Sequence, residues 1–193
     1  MIELKHIDFS YEEKKILSDF NLTVNDGECV CLSGPSGCGK TTVLRLIAGL
    51  EKPDSGTIKL TDKLSYVFQE DRLVPNLSVL NNILLCSGNK KDFALSVLEQ
   101  AGLKNVSDKK PQKLSGGMKR RVAIVRAVVF GGDALLLDEP FNGLDEEAKK
   151  IMAEIIKREF TEKGKPAIMV SHIPEDCEIM NARKIEFNNT ANH

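Results

Sequence analysis

Gly34-Pro35-Ser36-Gly37-Cys38-Gly39-Lys40-Thr41 satisfies the pattern G-x-x-x-x-G-K-[ST] at every fixed position. An apolar run at 28–33 precedes it. After it Val43, Leu44, Ile47 and Leu50 repeat at helical spacing, which predicts a helix over 40–50. This strand–loop–helix context gives the motif its chemistry. Glycines let successive backbone N–H groups converge on phosphate oxygens, and the helix N-terminus adds positive potential. Lys40 can reach the outer phosphates, and the Thr41 hydroxyl can ligate Mg²⁺. Residues 34–41 and the adjoining Thr42 are therefore the expected phosphate-binding set.

Strands and helices alternate outward from this loop. Two strands, 2–9 and 16–24, flank a charged turn at 12–15, and Asn25-Asp26-Gly27 reads as another turn. Short strands follow near 57–60 and 64–68. Residues 70–113 change character: Ser78 reads as a cap before a helix at 79–85, and 91–102 is amphipathic. Beyond them, 117–129 reads as a long helix and 134–137 as a buried strand. Residues 145–160 read as a helix with acids first and bases last, which suits its dipole. A buried strand at 167–170, a short helix at 173–180, a strand at 183–187 and a polar tail at 188–193 complete the chain. Alternation of this kind predicts an α/β fold with a mostly parallel sheet.

Ala134-Leu135-Leu136-Leu137-Asp138-Glu139 supplies the second chemical element. A buried strand ending in two acids carries them to the carboxyl edge of the sheet, where open α/β sheets bind ligands. There Asp138 can hold Mg²⁺ through water, and Glu139 can take a proton from an attacking water.

Leu114-Ser115-Gly116-Gly117-Met118 resembles the LSGGQ signature of the ATP-binding cassette (ABC) ATPases. The resemblance covers nearly the whole chain. Tyr11 matches the family's adenine-stacking aromatic, Gln69 its Q-loop, Asn142-Gly143-Leu144-Asp145 its D-loop and His172 its switch histidine. It implies a P-loop NTPase core with an N-terminal antiparallel β subdomain and an inserted helical subdomain. The core would span 1–69 and 114–193, with the insert at 70–113. The cofactors it implies are ATP and Mg²⁺. The catalytic set is then Glu139, His172, Gln69 and Lys40, and the metal set Thr41, Gln69 and Asp138. Nucleotide would also meet Tyr11, the loop residues 34–42, and Ser115, Gly116, Gly117 and Asp145. Ser115 and its glycines would close the helix end on the γ-phosphate held by a second cassette, making a homodimer.

Met118 stands where the family has Gln; the resemblance gives the phosphate contacts to Ser115 and the glycines, so activity is expected to survive. LSGGM, the run Lys119-Arg120-Arg121-Val122-Ala123 and Glu139-Pro140-Phe141 look most like the nitrate, sulfonate and taurine importer cassettes. The chain continues only 21 residues past His172, which the resemblance reads as lacking the sugar-importer cassettes' regulatory domain. The implied function is the ATP-hydrolysing subunit of a bacterial-type importer. It would sit in the cytoplasm, peripheral on the inner membrane face through a separate permease and served indirectly by a solute-binding protein. Residues 70–85 should shape the permease groove, with Leu73, Val74 and Leu77 as exposed apolar contacts. The alternative is a soluble ABC ATPase uncoupled from transport. The 72 residues between Thr41 and Leu114 lack the sustained heptads of the chromosome-organising members.

Composition bounds these readings. At 193 residues the chain suits one domain and should bury roughly 70% of its unfolded surface. Its 27 basic and 28 acidic residues give a net charge of −1, so no global basic field favours nucleic acid. No run of 18 uncharged apolar residues predicts a membrane span. The five cysteines lack zinc-type spacing and are expected to be buried free thiols, with Cys29 and Cys31 on one strand face and Cys38 filling its loop. Lys109, Lys110, Lys113, Lys119, Arg120 and Arg121 read as a basic cluster on a solvated face.

Overall fold

A computed structural model describes residues 1–60 and 63–187; the polar tail expected at 188–193 lies outside the described residues. Two sheets organise the described residues. The first is antiparallel, in the order β2-β1-β4, built from β1 (Ile2–Tyr11), β2 (Lys14–Val24) and β4 (Ser55–Lys59). Both opening strands run longer than their apolar patterns suggest and meet at a tight turn, where Glu12 takes φ 52°. Within β1 the buried positions shift phase, from Ile2 and Leu4 to Ile7 and Phe9. His6, at φ 52°, supplies the extra residue, and the pairing register breaks between Leu4 and Ile7. One bulge thus keeps both halves of the strand facing the core.

The second sheet is parallel, in the order β5-β6-β7-β3-β8. Its strands are β3 (Cys29–Ser33), β5 (Leu64–Val67), β6 (Ala134–Asp138), β7 (Ala167–Val170) and β8 (Arg183–Glu186). Every residue of β3, β6 and β7 is buried. That follows from cover on both faces, and it explains the unbroken apolar runs in the sequence. Val30, Leu32, Leu136, Ile168 and Val170 face the antiparallel sheet and helix α1 (Lys40–Ile47). Cys29, Cys31, Leu135, Leu137, Ala167 and Met169 face the opposite core. That core is completed by α2 (Val79–Leu84), α3 (Lys91–Gln100), α4 (Gly116–Phe130), α5 (Glu146–Glu159) and α6 (Pro174–Ile179).

The caps fall where their chemistry requires. The side chains of Ser78, Ser115 and Asp145 accept from the backbone N–H of Asn81, Met118 and Ala148, and such caps contribute about 1 kcal/mol each. Helix α1 ends three residues earlier than its spacing suggests. Ala48 closes it, Gly49 turns left-handed at φ 67°, and Leu50 points to solvent.

The cysteine expectation needs correction. Cys31 of β3 and Cys177 of α6 are joined by a disulfide across 146 residues, while Cys29, Cys38 and Cys86 are free. Helix α6 packs on the face of β3 that carries Cys31, a proximity that local spacing does not reveal. Cys29 does share that face, and burial pushes its thiol up to about 12. Cys86 is exposed rather than buried. Among the described residues no helix is long and apolar enough to cross a membrane.

Candidate functional site

Four neighbouring parallel strands deliver their following residues to one edge of the sheet. Gln69 follows β5, Asp138 ends β6 with Glu139 next after it, His172 follows β7, and the glycine loop follows β3. This is the carboxyl edge, where such sheets bind ligands. A cleft of about 310 Å³ there is lined by Tyr11, Ser36, Gly37, Gly39, Lys40, Thr41, Thr42, Gln69 and Glu139, with Ile16 and Val170 as apolar walls. Gly34, Pro35, Ser36 and His172 line an adjoining cleft on the other side of the loop, about 510 Å³ in volume.

The loop can take this shape only with glycine at its ends. A Cβ on Gly34 would meet the Phe187 carbonyl oxygen at 2.5 Å, and one on Gly39 would meet Ile16 at 2.8 Å. Both have positive φ. Lys40 lies buried along the loop and donates through Nζ to the carbonyls of Gly34 (2.8 Å) and Pro35 (2.7 Å). Its ammonium is 3.6 Å from the buried thiol of Cys38. The loop is thereby tied around its own cation.

Thr41 Oγ1 donates to Asp138 Oδ1 at 3.1 Å. Burial raises the Asp138 carboxyl above its ordinary value, and the Thr41 bond works against that shift. A hydroxyl and a carboxylate beside a phosphate loop are hard oxygen donors, and Mg²⁺ favours one or two carboxylates with phosphate and water. No group of three or more His, Cys, Asp or Glu suited to a metal occurs among the described residues. A cation at this pair would therefore draw its other ligands from phosphate and water.

Glu139 adopts φ 47°, a left-handed conformation uncommon outside glycine. Its Oε1 lies 3.2 Å from Nδ1 of His172. The turn places the carboxylate at the cleft and pairs it with the imidazole. Buttressing comes from Ser171, whose Oγ donates to Asp176 Oδ2 at 2.8 Å. Asp176 in turn pairs with Lys149 of α5 at 3.2 Å. Tyr11 rims the cleft, 42% exposed, and its hydroxyl reaches Glu51, which also pairs with Arg45 of α1.

The remaining sequence-derived site residues lie elsewhere. Ser115 and Gly116 are exposed at the tip of α4 and do not line the P-loop cleft. Gly117 packs on the Gly143 carbonyl, where a Cβ would come within 3.1 Å, so the signature turn and the turn before Asp145 lie against each other. Asp145 caps α5 and is exposed.

Two expectations about the surroundings need correction. Arg120 is only 4% exposed and does not belong to a solvated basic face. It lies on the helical stripe Arg120, Ala123, Ile124 and Ala127, all buried, which faces the protein interior. Leu73 and Leu77 are half-buried, and Leu73 packs against the helical core. The exposed apolar residues of this region are Val74 and Leu85. They border a groove of about 360 Å³ with Tyr66, Phe68 and Phe130.

The ABC transporter family matches residues 17–142. The chain belongs to that family. The cassette is 38% identical over 188 residues to the aliphatic sulfonates import ATP-binding protein SsuB 1 of Rhodococcus jostii (strain RHA1), covering 94% of this chain and 77% of the relative. It is 39% identical over 201 residues to the spermidine/putrescine import ATP-binding protein PotA of Haemophilus influenzae, covering 95% of this chain but 54% of the relative. The cassette thus spans little more than half the length of that curated relative. Among solved structures it is similar to the dimeric MJ0796, a bacterial ABC transporter cassette, with a TM-score of 0.84, 30% identity, and cover of 97% and 95% of the two chains. A post-hydrolysis dimer of MJ0796 bound to ADP and Pi gives a TM-score of 0.85 at 30% identity, covering 98% and 95%. Relatives named as import subunits favour transport over a soluble, uncoupled ATPase.

Proposed function

We propose that this cassette binds ATP with Mg²⁺, hydrolyses it as one half of a homodimer, and so drives a separate permease for solute import. One observation carries the reading: a single sheet edge collects the P-loop lysine, the Thr41–Asp138 pair and the Glu139–His172 pair, while the Ser115-capped helix tip is exposed and does not line that cleft. One chain therefore has a cradle and a tip that does not reach its own cradle. Two chains placed head to tail match each cradle with the other's tip. The turn of Gly143 against Gly117 would put Asp145 at the same interface.

Each residue has a role in this reading. Tyr11 stacks on the base. The loop residues 34–39, with Thr42, surround the phosphates by backbone N–H groups. Lys40 exchanges its loop carbonyls for the outer phosphates. Thr41, Gln69 and, through water, Asp138 would hold Mg²⁺, which would neutralise charge on the phosphates. Glu139 accepts the proton of the attacking water, and His172 holds that carboxylate and the γ-phosphate in line. Ser115, Gly116 and Gly117 of the second chain complete the site by donating N–H groups of a helix N-terminus. Positioning and electrostatics then account for most of the catalysis.

Residues 1–69 and 114–193 form the ATPase core in this proposal, and 70–113 an inserted helical subdomain. The groove at Val74 and Leu85 receives the permease, which places the cassette on the cytoplasmic membrane face, with a solute-binding protein upstream. The sulfonate and polyamine relatives are similarly identical to this chain, so the solute identity resides outside the cassette. The test is Mg²⁺-dependent ATP hydrolysis by the purified chain, together with co-purification of a polytopic membrane protein. Hydrolysis without any such partner would support the uncoupled alternative.

A further inference from the structure

Arg120 stands five residues beyond the Ser115 cap, on the face of α4 turned towards the strand ends. Its guanidinium makes six contacts at the carboxyl edge. Nε donates to the Pro140 carbonyl at 2.9 Å. Nη2 donates to the carbonyls of Asp138 (2.6 Å) and Glu139 (2.7 Å). Nη1 donates to the carbonyls of Phe68 (2.6 Å) and Gln69 (3.2 Å) and lies 3.4 Å from Asp71 Oδ1. A guanidinium has five N–H donors in a fixed planar fork. Here all of them are spent on two short segments, 68–71 after β5 and 138–140 at the end of β6.

Those segments carry two of the cleft's lining residues, Gln69 and Glu139. Glu139 sits at φ 47°, and a strained backbone of that kind persists only when its surroundings over-determine it. The three successive carbonyls of 138–140 are all fixed by this one side chain. Gln69 is fixed through its own carbonyl by the same group.

We propose that Arg120 is the positioning residue that locks Glu139 and Gln69 to helix α4, so that the helix end meant for the partner's nucleotide sets the hydrolytic geometry of its own chain's cleft. The inference rests on the head-to-tail dimer of the proposed function. When nucleotide on the partner draws the Ser115 tip, α4 carries Arg120, and the 138–140 and 68–71 segments follow it. Each site thereby reports its occupancy to the other. A lysine at this position keeps the charge but, as a point donor with three N–H groups, cannot span both segments in one plane.

The experiment compares wild type with Arg120→Lys in steady-state ATP hydrolysis, with ATP affinity measured by a fluorescent ATP analogue. Arg121→Lys is the control. Arg121 is the next residue on α4, half-buried, and donates to Ala101 away from the cleft at 2.8 Å. Arg120→Lys is expected to lower kcat at least about tenfold, as loss of alignment of a general base should. It should bring the Hill coefficient for ATP towards 1 and leave nucleotide affinity within about twofold, because Lys40 and the loop are untouched. Arg121→Lys should stay within about twofold of wild type in every parameter. Equal losses in the two variants, or an unchanged kcat in Arg120→Lys, would overturn the proposal.

Should Arg120→Lys not fold, Asp71→Asn serves instead. It removes the carboxylate that lies 3.4 Å from Nη1 and orients the guanidinium, and so loosens the hold of Arg120 on both segments. It is expected to lower kcat at least about threefold with KM for ATP unchanged, and wild-type kcat in that variant contradicts the inference. A wild-type chain that hydrolyses no ATP refutes the proposed function itself, a separate outcome.

Discussion

Thr41 Oγ1 and Asp138 Oδ1, 97 residues apart in sequence, are 3.1 Å apart at the carboxyl edge of the sheet. Burial, the largest influence, lifts the Asp138 carboxyl above its ordinary 3.8. A raised carboxyl means that its ionised form costs stability in the folded state at neutral pH. The cost fades as pH falls through the raised value, and it vanishes below 3.8, where folded and unfolded chains are both protonated. Asp138→Asn should therefore raise the Tm of the nucleotide-free protein at pH 7, by about 2–4 °C for each kcal/mol relieved. The gain should shrink towards acid pH. The same variant should lose Mg²⁺-dependent hydrolysis. Thermal melts between pH 4 and 8 check the first part; a variant less stable than wild type at pH 7 would contradict it.

Lys40 already fills its place by bonding Gly34 and Pro35. Its removal leaves two loop carbonyls without their donor and takes a cation from the phosphates. Charge-assisted bonds contribute about 1.5–3 kcal/mol each, so Lys40→Ala should weaken ATP binding by about 10–100-fold. Titration with a fluorescent ATP analogue measures this directly.

Glu139→Gln keeps the shape of the side chain and removes its basicity. Turnover should fall by about 10²–10⁴-fold, while ATP affinity stays near wild type. His172→Ala should also lower turnover, since it removes the partner that lies 3.2 Å from the Glu139 carboxylate. Single-turnover assays separate these effects from binding.

Val74 and Leu85, 37% and 59% exposed, border the apolar groove. Val74→Glu or Leu85→Glu should leave basal hydrolysis by the isolated cassette within about twofold, because neither residue meets the nucleotide cleft. Either change should abolish transport in vesicles that carry the permease. Equal loss of both activities would remove the groove from the account.

Motif chemistry made much of the site legible in the sequence. A G-x-x-x-x-G-K-T run between an apolar strand and a periodic helix has one physical solution, and β3, the loop and α1 adopt it. The buried strands β6 and β7 were legible for a related reason: cover on both faces leaves unbroken apolar runs. Arg120 was not legible as a buried clamp, because a basic residue among basic neighbours reads as solvated. A signal was nonetheless present in its position at i relative to Ala123, Ile124 and Ala127, the i+3, i+4 and i+7 positions of the buried stripe. The Cys31–Cys177 pair had no local signal, since it depends on α6 folding back onto β3. Leu73 reads as exposed because its burial depends on tertiary context: the chain at 71–74 is held by Arg126 and Asn82, with Leu73 packed on the helical core and Val74 exposed.

The most direct test of the head-to-tail nucleotide sandwich is the solution mass of Glu139→Gln by light scattering, with and without saturating Mg²⁺-ATP. The account predicts single chains without nucleotide, pairs with it, and single chains again when Ser115→Arg is added to block the helix tip. Single chains at saturating Mg²⁺-ATP, with binding confirmed in the same sample, would contradict it.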